Sequence, residues 1–184
     1  MYPPGHVGLT AVLFAPLVGW FRLRGRRQAA TECLQVALVL SVLPDIDKLL
    51  PGVVHRGVTH TLPAALVAGV FVVLLFQTAS ADPLGIGAEH PAVCYLIGAA
   101  GVVCHLVGDI ITPMGIQLLF PGSRTVYSLD IVQASSATAN GLLFVAGTLA
   151  LICSYGVPVR THSPAADDGC TDESARKALL SSRR

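Results

Sequence analysis

The sequence predicts an all-α bundle of membrane-spanning helices, and three observations support this fold class. Of the 184 residues, 53% are apolar and only 12% are charged, about half the charged share of a typical soluble domain. The mean hydropathy is +0.66, and the apolar residues form long runs without the alternation of a barrel strand. Because a helix satisfies its own backbone hydrogen bonds in lipid, we predict about five transmembrane helices.

Five apolar windows define the predicted spans. In chain order they cover residues 4–21, 29–44, 62–78, 91–112 and 139–157. Most of these windows approach the roughly 20 residues that a helix needs to cross a bilayer. The second window is the weakest, because Glu32 lies near its start and its clearest apolar stretch, CLQVALVLSVLP, is short. If that window is a buried or tilted helix, four spans remain.

Residues 1–160 are expected to form a single transmembrane domain that contains the functional site. The remaining residues, 161–184, are polar and contain few large apolar side chains. Because such a segment cannot bury enough apolar surface to pack, we expect a disordered or loosely helical cytoplasmic tail.

Basic residues predict the orientation of this domain in the inner membrane, since Lys and Arg near short loops tend to remain cytoplasmic. The loop RLRGRR contains four arginines, and five more basic residues follow the last span. With five spans, only Lys48, Arg56 and Arg124 lie at the opposite face. We therefore predict that the first loop and the tail are cytoplasmic and that the N-terminus is extracytoplasmic.

The few ionisable residues that lie inside or beside the apolar runs mark the predicted functional site. A titratable group in hydrocarbon is costly unless it is paired, hydrated or bound to an ion. With five spans, the starts of odd-numbered spans and the ends of even-numbered spans meet at one membrane face, predicted to be extracytoplasmic. Seven predicted metal ligands share that face: His6, Asp45, Asp47, His55, His60, His105 and Asp109.

Two carboxylate motifs differ in how they would present their ligands. In HLVGD, His105 and Asp109 are four residues apart, so a helix places both on one face, where they can share an ion. The alternative is a hydrogen-bonded pair that joins two helices. In LPDID, Asp45 and Asp47 would point apart on a helix, so we expect one metal ligand and one supporting carboxylate. The alternative there is a solvated loop that ends the helix.

The segment VHRGVTHT, just before the third apolar window, is the most enzyme-like part of the chain. Neutral imidazoles at His55 and His60 suit a borderline metal ion, whereas the guanidinium of Arg56 suits a phosphate or the charge that develops during its transfer. The alternative is a loop at the lipid headgroups, with Arg56 on lipid phosphates. The predicted catalytic residues are Asp45 and Asp47, one of which would orient a water molecule, and Arg56.

These motifs resemble, in their order, a family of small inner-membrane metal-dependent hydrolases that is also described as LexA-binding and inner-membrane-associated. The resemblance covers roughly residues 1–135 and includes His6, LPDID, HRGVTH and HLVGDIITPMG. Thr61 stands where the family usually has serine, which preserves the hydroxyl group. The resemblance implies metal-dependent hydrolysis.

Part of the pattern is also similar to the zinc site of phospholipase C and P1 nuclease, which act on phosphodiesters. The matching positions are His6, Asp45 or Asp47, His60, His105 and Asp109. The chain lacks the later His and Glu pair of that superfamily, because Asp130 is the only carboxylate between Asp109 and the tail and the next histidine is His162. The similarity therefore implies one or two zinc ions rather than three.

Together these observations predict a membrane-embedded, metal-dependent hydrolase with zinc as its cofactor, acting on a phosphoester of a membrane lipid or lipid-linked substrate. Two other classes remain open. A non-catalytic membrane protein would hold a structural metal closed by four protein ligands, and a metal or proton transporter would carry polar residues near the bilayer midplane. The basic residues form no stripe interleaved with aromatics, so we expect no nucleic-acid partner for the folded body. Protein partners are not indicated.

Overall fold

The computed structural model describes residues 1–78 and 90–156, which form a bundle of five α-helices. The helices are α1 (Pro3–Leu23), α2 (Arg27–Leu40), α3 (Leu62–Thr78), α4 (Pro91–Ile110) and α5 (Ala137–Gly156). Within these two ranges the β-type pairing is limited to a single bridge between Ile116 and Tyr127, so the predicted all-α fold is confirmed. The predicted tail, residues 161–184, lies outside the described residues.

Helical segments long and apolar enough to cross a membrane are Pro3–Leu23, Arg27–Leu49, Pro91–Ile110 and Ala137–Gly156. The described part of α3 is shorter, with 17 residues; it spans about 26 Å of the roughly 30 Å hydrocarbon core. The second window was the doubtful span in the sequence, but the structure continues that helix into a 3-10 helix that ends at Leu49. The short helix is instead the third.

Pro44 explains why α2 gives way to a 3-10 helix, Leu43–Leu49. Proline lacks a backbone N–H and is tolerated in the first turn of a helix rather than in its interior. The segment LPDIDKL therefore starts a new turn, which carries Asp45 and Asp47 just beyond the end of α2. A second 3-10 helix, Val58–His60, precedes α3.

α4 packs against α1, α2 and α3, while α5 packs along α1. Small residues let these helices approach closely, as is usual in membrane bundles. A Cβ on Gly147 of α5 would lie 2.8 Å from the Cβ of Ala11 in α1, and a Cβ on Gly98 of α4 would lie 2.8 Å from the side chain of Val72 in α3. Away from these contacts, apolar side chains such as that of Leu149 in α5 are exposed, as contact with lipid requires.

Hydrogen bonds show which helix ends lie together, and they agree with spans that alternate in direction. The backbone N–H of Tyr2, just before α1, donates to Asn140 Oδ1 near the start of α5. The N–H of Leu62, at the start of α3, donates to the carbonyl of Leu118 in the loop after α4. The starts of α1, α3 and α5 therefore lie at the same end of the bundle as the end of α4. We call this the site end.

Candidate metal centre

The site end of the bundle brings all seven predicted ligands together. Three groups have donor atoms within 4.8 Å of one another: His6 with His105 and Asp109, Asp45 with His60 and His105, and Asp47 with His55 and His60. Because neighbouring groups share a histidine, the seven side chains form one continuous strip rather than separate sites. We call this strip the His/Asp cluster.

Two imidazole nitrogens of the His/Asp cluster lie close to the same two carboxylate oxygens. Nε2 of His60 lies 3.5 Å from Asp109 Oδ2 and 3.6 Å from Asp45 Oδ1. Nε2 of His105 lies 3.5 and 3.9 Å from the same two oxygens. Ligand atoms around a tetrahedral zinc ion, with bonds of about 2.0–2.2 Å, are about 3.3–3.6 Å apart. The spacing of this inner set, His60, His105, Asp45 and Asp109, is therefore close to that of a tetrahedral metal site.

The ring of His105 is oriented by the end of α2. Its Nδ1 lies 2.7 Å from the carbonyl oxygen of Ser41, the residue that follows the last turn of α2. A carbonyl can only accept a hydrogen bond, so Nδ1 carries the proton and the lone pair of the neutral ring is on Nε2. In metal-binding histidines the ring nitrogen that does not bind the metal commonly donates a hydrogen bond to such an acceptor. The fold thus directs the lone pair of His105 Nε2 toward the other atoms of the inner set.

Asp47 is buried and supports the residues around it. Its Oδ2 accepts hydrogen bonds from Thr59 Oγ1 at 2.8 Å and from the backbone N–H of Arg56 at 3.2 Å. Its Oδ1 lies 2.9 Å from His55 Nδ1. Oδ2 also lies 3.2 Å from Nδ1 of His60, the nitrogen that is hydrogen-bonded with Thr59 Oγ1 at 2.9 Å. Both oxygens of Asp47 are thus engaged, and the carboxylate leaves Nε2 of His60 to face the inner set.

Arg56 holds Asp109 and the turn that follows α4. Its Nη2 donates to Asp109 Oδ1 at 2.7 Å, and its Nη1 donates to Thr112 Oγ1 and to the carbonyl of Gly115 at 3.1 and 3.2 Å. The backbone of Arg56 has a φ of +61°, a left-handed conformation that costs a residue with a Cβ about 1–3 kcal/mol. The guanidinium therefore makes three contacts within the protein, and its predicted role toward a phosphate stays a prediction. The contact with Asp109 is expected, because a buried carboxylate needs a paired cation.

His6 lies at the edge of the inner set and stacks on His105, with ring centroids 3.9 Å apart and planes 13° from parallel. This contact requires a glycine in α4, because a Cβ on Gly108 would lie 2.7 Å from His6 Nδ1. Nε2 of His6 lies 3.5 Å from Asp109 Oδ1, the oxygen that already accepts from the amine of Met1. His6 therefore faces the occupied oxygen of Asp109 rather than the oxygen of the inner set.

Buried atoms without hydrogen-bond partners indicate whether the cluster fits a metal ion. In the part of the chain that the structure describes, they include Nε2 of His6, His60 and His105 and Oδ2 of Asp45 and Asp109. A buried polar atom that lacks a partner costs roughly 1–3 kcal/mol, and a divalent cation would satisfy several such lone pairs at once. Imidazole nitrogen and carboxylate oxygen are donors that zinc binds. The cluster could therefore hold a metal ion, and its donor set fits zinc.

The accessible edge of the cluster is formed by Lys48 and His55, whose side chains are 44% and 31% exposed. Nζ of Lys48 lies 2.9 Å from Asp45 Oδ1, so an ammonium group stands beside the inner set. From the sequence, Lys48 was used only to predict the orientation of the protein in the membrane. Its position three residues after Asp45 could have indicated this contact. Ser41 and Thr59 were also missed. Ser41 contributes a backbone carbonyl, which its residue type does not indicate. The position of Thr59 next to His60 could have indicated its contact with that histidine.

Comparisons with known proteins place the chain among inner membrane proteins. No curated protein and no solved structure matches it. A family model described as YdjM inner membrane protein matches residues 1–166, a range that includes the five described helices and the whole His/Asp cluster. The match agrees with the inner-membrane character that the sequence motifs implied. The chain belongs to the YdjM inner membrane protein family.

Proposed function

We propose that the protein is a membrane-embedded, metal-dependent hydrolase that binds one or two zinc ions in the His/Asp cluster and cleaves a phosphoester of a membrane lipid or lipid-linked substrate. The observation that supports this most is the orientation of His60 and His105. Both present Nε2 to the carboxylates of the inner set, while Nδ1 of His60 is hydrogen-bonded with Thr59 Oγ1 and Nδ1 of His105 with the carbonyl of Ser41. Proteins commonly prepare histidines for a metal ion in this way.

The chemistry of the proposed reaction is divided between the ion and the chain. A bound zinc ion would polarise a phosphoryl oxygen and lower the pKa of a bound water molecule. Asp45 Oδ2, which has no hydrogen-bond partner among the described residues, would take the proton of the attacking water. The ammonium of Lys48, beside Asp45, would neutralise charge as it develops on the phosphate. Arg56 would keep Asp109 in place and thus act as a positioning residue.

The number of ligands decides between a catalytic and a structural metal. A catalytic zinc site has three protein ligands and one open position, whereas a structural site has four protein ligands. With Asp45 acting on water, His60, His105 and Asp109 would be the protein ligands of the ion, and water or substrate would complete its coordination. The exposed side chain of Lys48, beside Asp45, marks the edge from which a substrate would approach. If Asp45 also binds the ion, the site is closed, and a structural metal is the second candidate.

The position of the cluster in the bundle favours catalysis over transport. All its members lie at the site end, whereas transporters bind their ions near the bilayer midplane. The arginine-rich turn RLRGRR connects α1 to α2 at the opposite end. Because such turns tend to stay in the cytoplasm, we propose that the cluster faces the extracytoplasmic side.

The proposal is tested by measuring metal and turnover in the same preparations. Purified wild type should retain zinc by elemental analysis, and His60→Ala and His105→Ala should each lose most of it while remaining inserted. His90→Ala is the matched control, because His90 lies just before α4, at the far end of that helix from His105. Product release from phosphatidyl and polyprenyl phosphoesters is then compared before and after treatment with a chelator.

Two results would contradict the proposal. Stoichiometric zinc in both His60→Ala and His105→Ala would remove these residues from the metal site. If the wild type releases no product from any of the phosphoesters and spectroscopy shows four protein ligands on the zinc ion, the structural role replaces the catalytic one.

A further inference from the structure

An apolar cleft runs down the bundle between α2 and α3. Its upper part, a cavity of about 150 Å³, is lined by Leu43, Pro44, Thr59, Ala64, Ala68 and Val102. Its lower part, about 340 Å³, continues between Val36 and Val39 of α2 and Phe71 and Leu75 of α3. The two cavities share Leu43. They therefore lie next to each other in the apolar groove between α2 and α3, and we treat them together as one cleft.

The upper part of the cleft reaches the residues that carry the inner set. Pro44 directly precedes Asp45 in the chain, and Thr59 directly precedes His60. Val102 lies on α4 one turn before His105. Three lining residues of the upper cavity are therefore close in the chain to three members of the inner set. The cleft thus begins beside residues of the proposed metal site, and Thr59 of its lining is hydrogen-bonded with His60.

The length and opening of the cleft match one leaflet of a membrane. On α3 its lining extends from Ala64 to Phe76, a distance of about 18 Å, against about 15 Å for half of a typical hydrocarbon core. Val39, Phe71 and Leu75 along its lower part are exposed. The cleft is thus open sideways, so that a hydrocarbon chain can enter it from the surrounding lipid.

We propose that the cleft binds a fatty acyl chain of a glycerophospholipid whose phosphate lies at the His/Asp cluster. This inference rests on the proposed hydrolase function, and it specifies both the substrate class and the path of entry. A phospholipid in the leaflet at the site end has its phosphate at the membrane surface and its chains directed toward the midplane. The cluster and the cleft have the same arrangement.

Ala68→Phe is the variant that tests the cleft. It adds an aromatic ring to the upper cavity without replacing any member of the cluster. Val67→Phe is the matched control, because the neighbouring side chain of Val67 is exposed and is not part of the cleft lining. Both variants add one phenyl ring to the same turn of α3, so an effect of the first alone would report on the cavity.

The first experiment measures binding and requires no turnover. Phosphatidic acid with a photoreactive diazirine in its acyl chain is added to the full-length protein in vesicles of phosphatidylethanolamine and phosphatidylglycerol. We expect crosslinks at Phe71 and Leu75, their loss in Ala68→Phe and their retention in Val67→Phe. Crosslinks equally frequent at Leu149, on the exposed side of α5, would overturn the proposal. Stronger competition by a polyprenyl phosphate than by unlabelled phosphatidic acid would overturn the acyl assignment.

The second experiment measures chain selectivity. Turnover of long-chain phosphatidic acid is divided by turnover of the soluble ester p-nitrophenyl phosphate. Because contacts with a hydrophobic pocket discriminate by about tenfold or more, this ratio should fall about tenfold in Ala68→Phe with zinc content unchanged. An unchanged ratio would overturn the proposal. If crosslinking is confined to the cleft but neither ester is hydrolysed, the cleft is supported and the hydrolase proposal fails.

Discussion

Replacing Arg56 with lysine distinguishes a positioning residue from a phosphate-binding one. Lysine keeps the charge that pairs with Asp109, but its single ammonium cannot also reach Thr112 and Gly115 as the guanidinium does. The loss of two hydrogen bonds, at about 1 kcal/mol each, should lower the free energy of unfolding by about 2 kcal/mol. A less firmly held Asp109 should also weaken zinc binding by about 10–100-fold, as is typical when a partner of a metal ligand is removed.

The assay for Arg56→Lys combines stability with metal affinity. Unfolding is followed in mixed micelles as the fraction of denaturing detergent rises, and zinc affinity is measured by competition with a chromogenic chelator. Arg124→Lys is the matched control, because Arg124 is exposed in the loop after α4. If Arg56→Lys keeps both the unfolding free energy and the zinc affinity of the wild type while KM for the phosphoester rises, Arg56 binds the substrate. The positioning argument would then be wrong.

Three further changes test other parts of the site. Asp47→Asn keeps the size of the side chain but weakens its hold on Thr59, which is hydrogen-bonded with His60, so zinc affinity should fall about tenfold or more in the same chelator competition; unchanged affinity would contradict the supporting role. Removal of zinc should lower the thermal unfolding midpoint, because a ligand that binds the native state stabilises it, and added zinc should restore it; equal midpoints would argue against a bound ion. After replacement of the native cysteines, Ser123→Cys at the site end should react with an impermeant thiol reagent in intact cells, whereas Gln28→Cys at the opposite end should be shielded. The reverse pattern would place the cluster in the cytoplasm.

The meeting of the cluster residues could be predicted because it depends only on the number of spans. Each membrane crossing reverses the direction of the chain, so His6 at the start of the first span and Asp109 near the end of the fourth must lie at one end of the bundle. The helical spacing of His105 and Asp109 then places both on one face of α4. These relations need no knowledge of side-chain packing. They also hold although α3 is shorter than the other spans.

The hydrogen bonds that orient the ligands could not be predicted in the same way. The partner of His105 is a backbone carbonyl, which every residue possesses, and Ser41 supplies it because α2 ends there before Pro44 starts a new turn. The direction of the Arg56 guanidinium depends on a left-handed backbone that its residue type does not favour. Both features arise from tertiary contacts, which the spacing of residues in the sequence does not predict.

The way in which His105 is held limits the number of ions that the cluster binds. Its Nδ1 is bonded to Ser41, so only Nε2 can bind a metal, and a single lone pair serves a single ion. The inner set and the group around His6 both require that nitrogen. A first zinc ion is therefore expected in the inner set. A second ion in the group around His6 would have to bind His6 and Asp109 without His105, and with lower affinity.

Zinc titration of the His6→Ala variant tests this order of binding. The wild type should show one tight and one weaker equivalent in a chelator competition, and His6→Ala should remove the weaker equivalent alone. His105→Ala should remove the tight one, because the inner set depends on its Nε2. His90→Ala again serves as the control that removes an imidazole outside the cluster. Loss of the tight equivalent in His6→Ala would show that His6 binds the first ion. The first ion would then not be bound by His60, His105, Asp45 and Asp109 alone, and the inner set would be wrong.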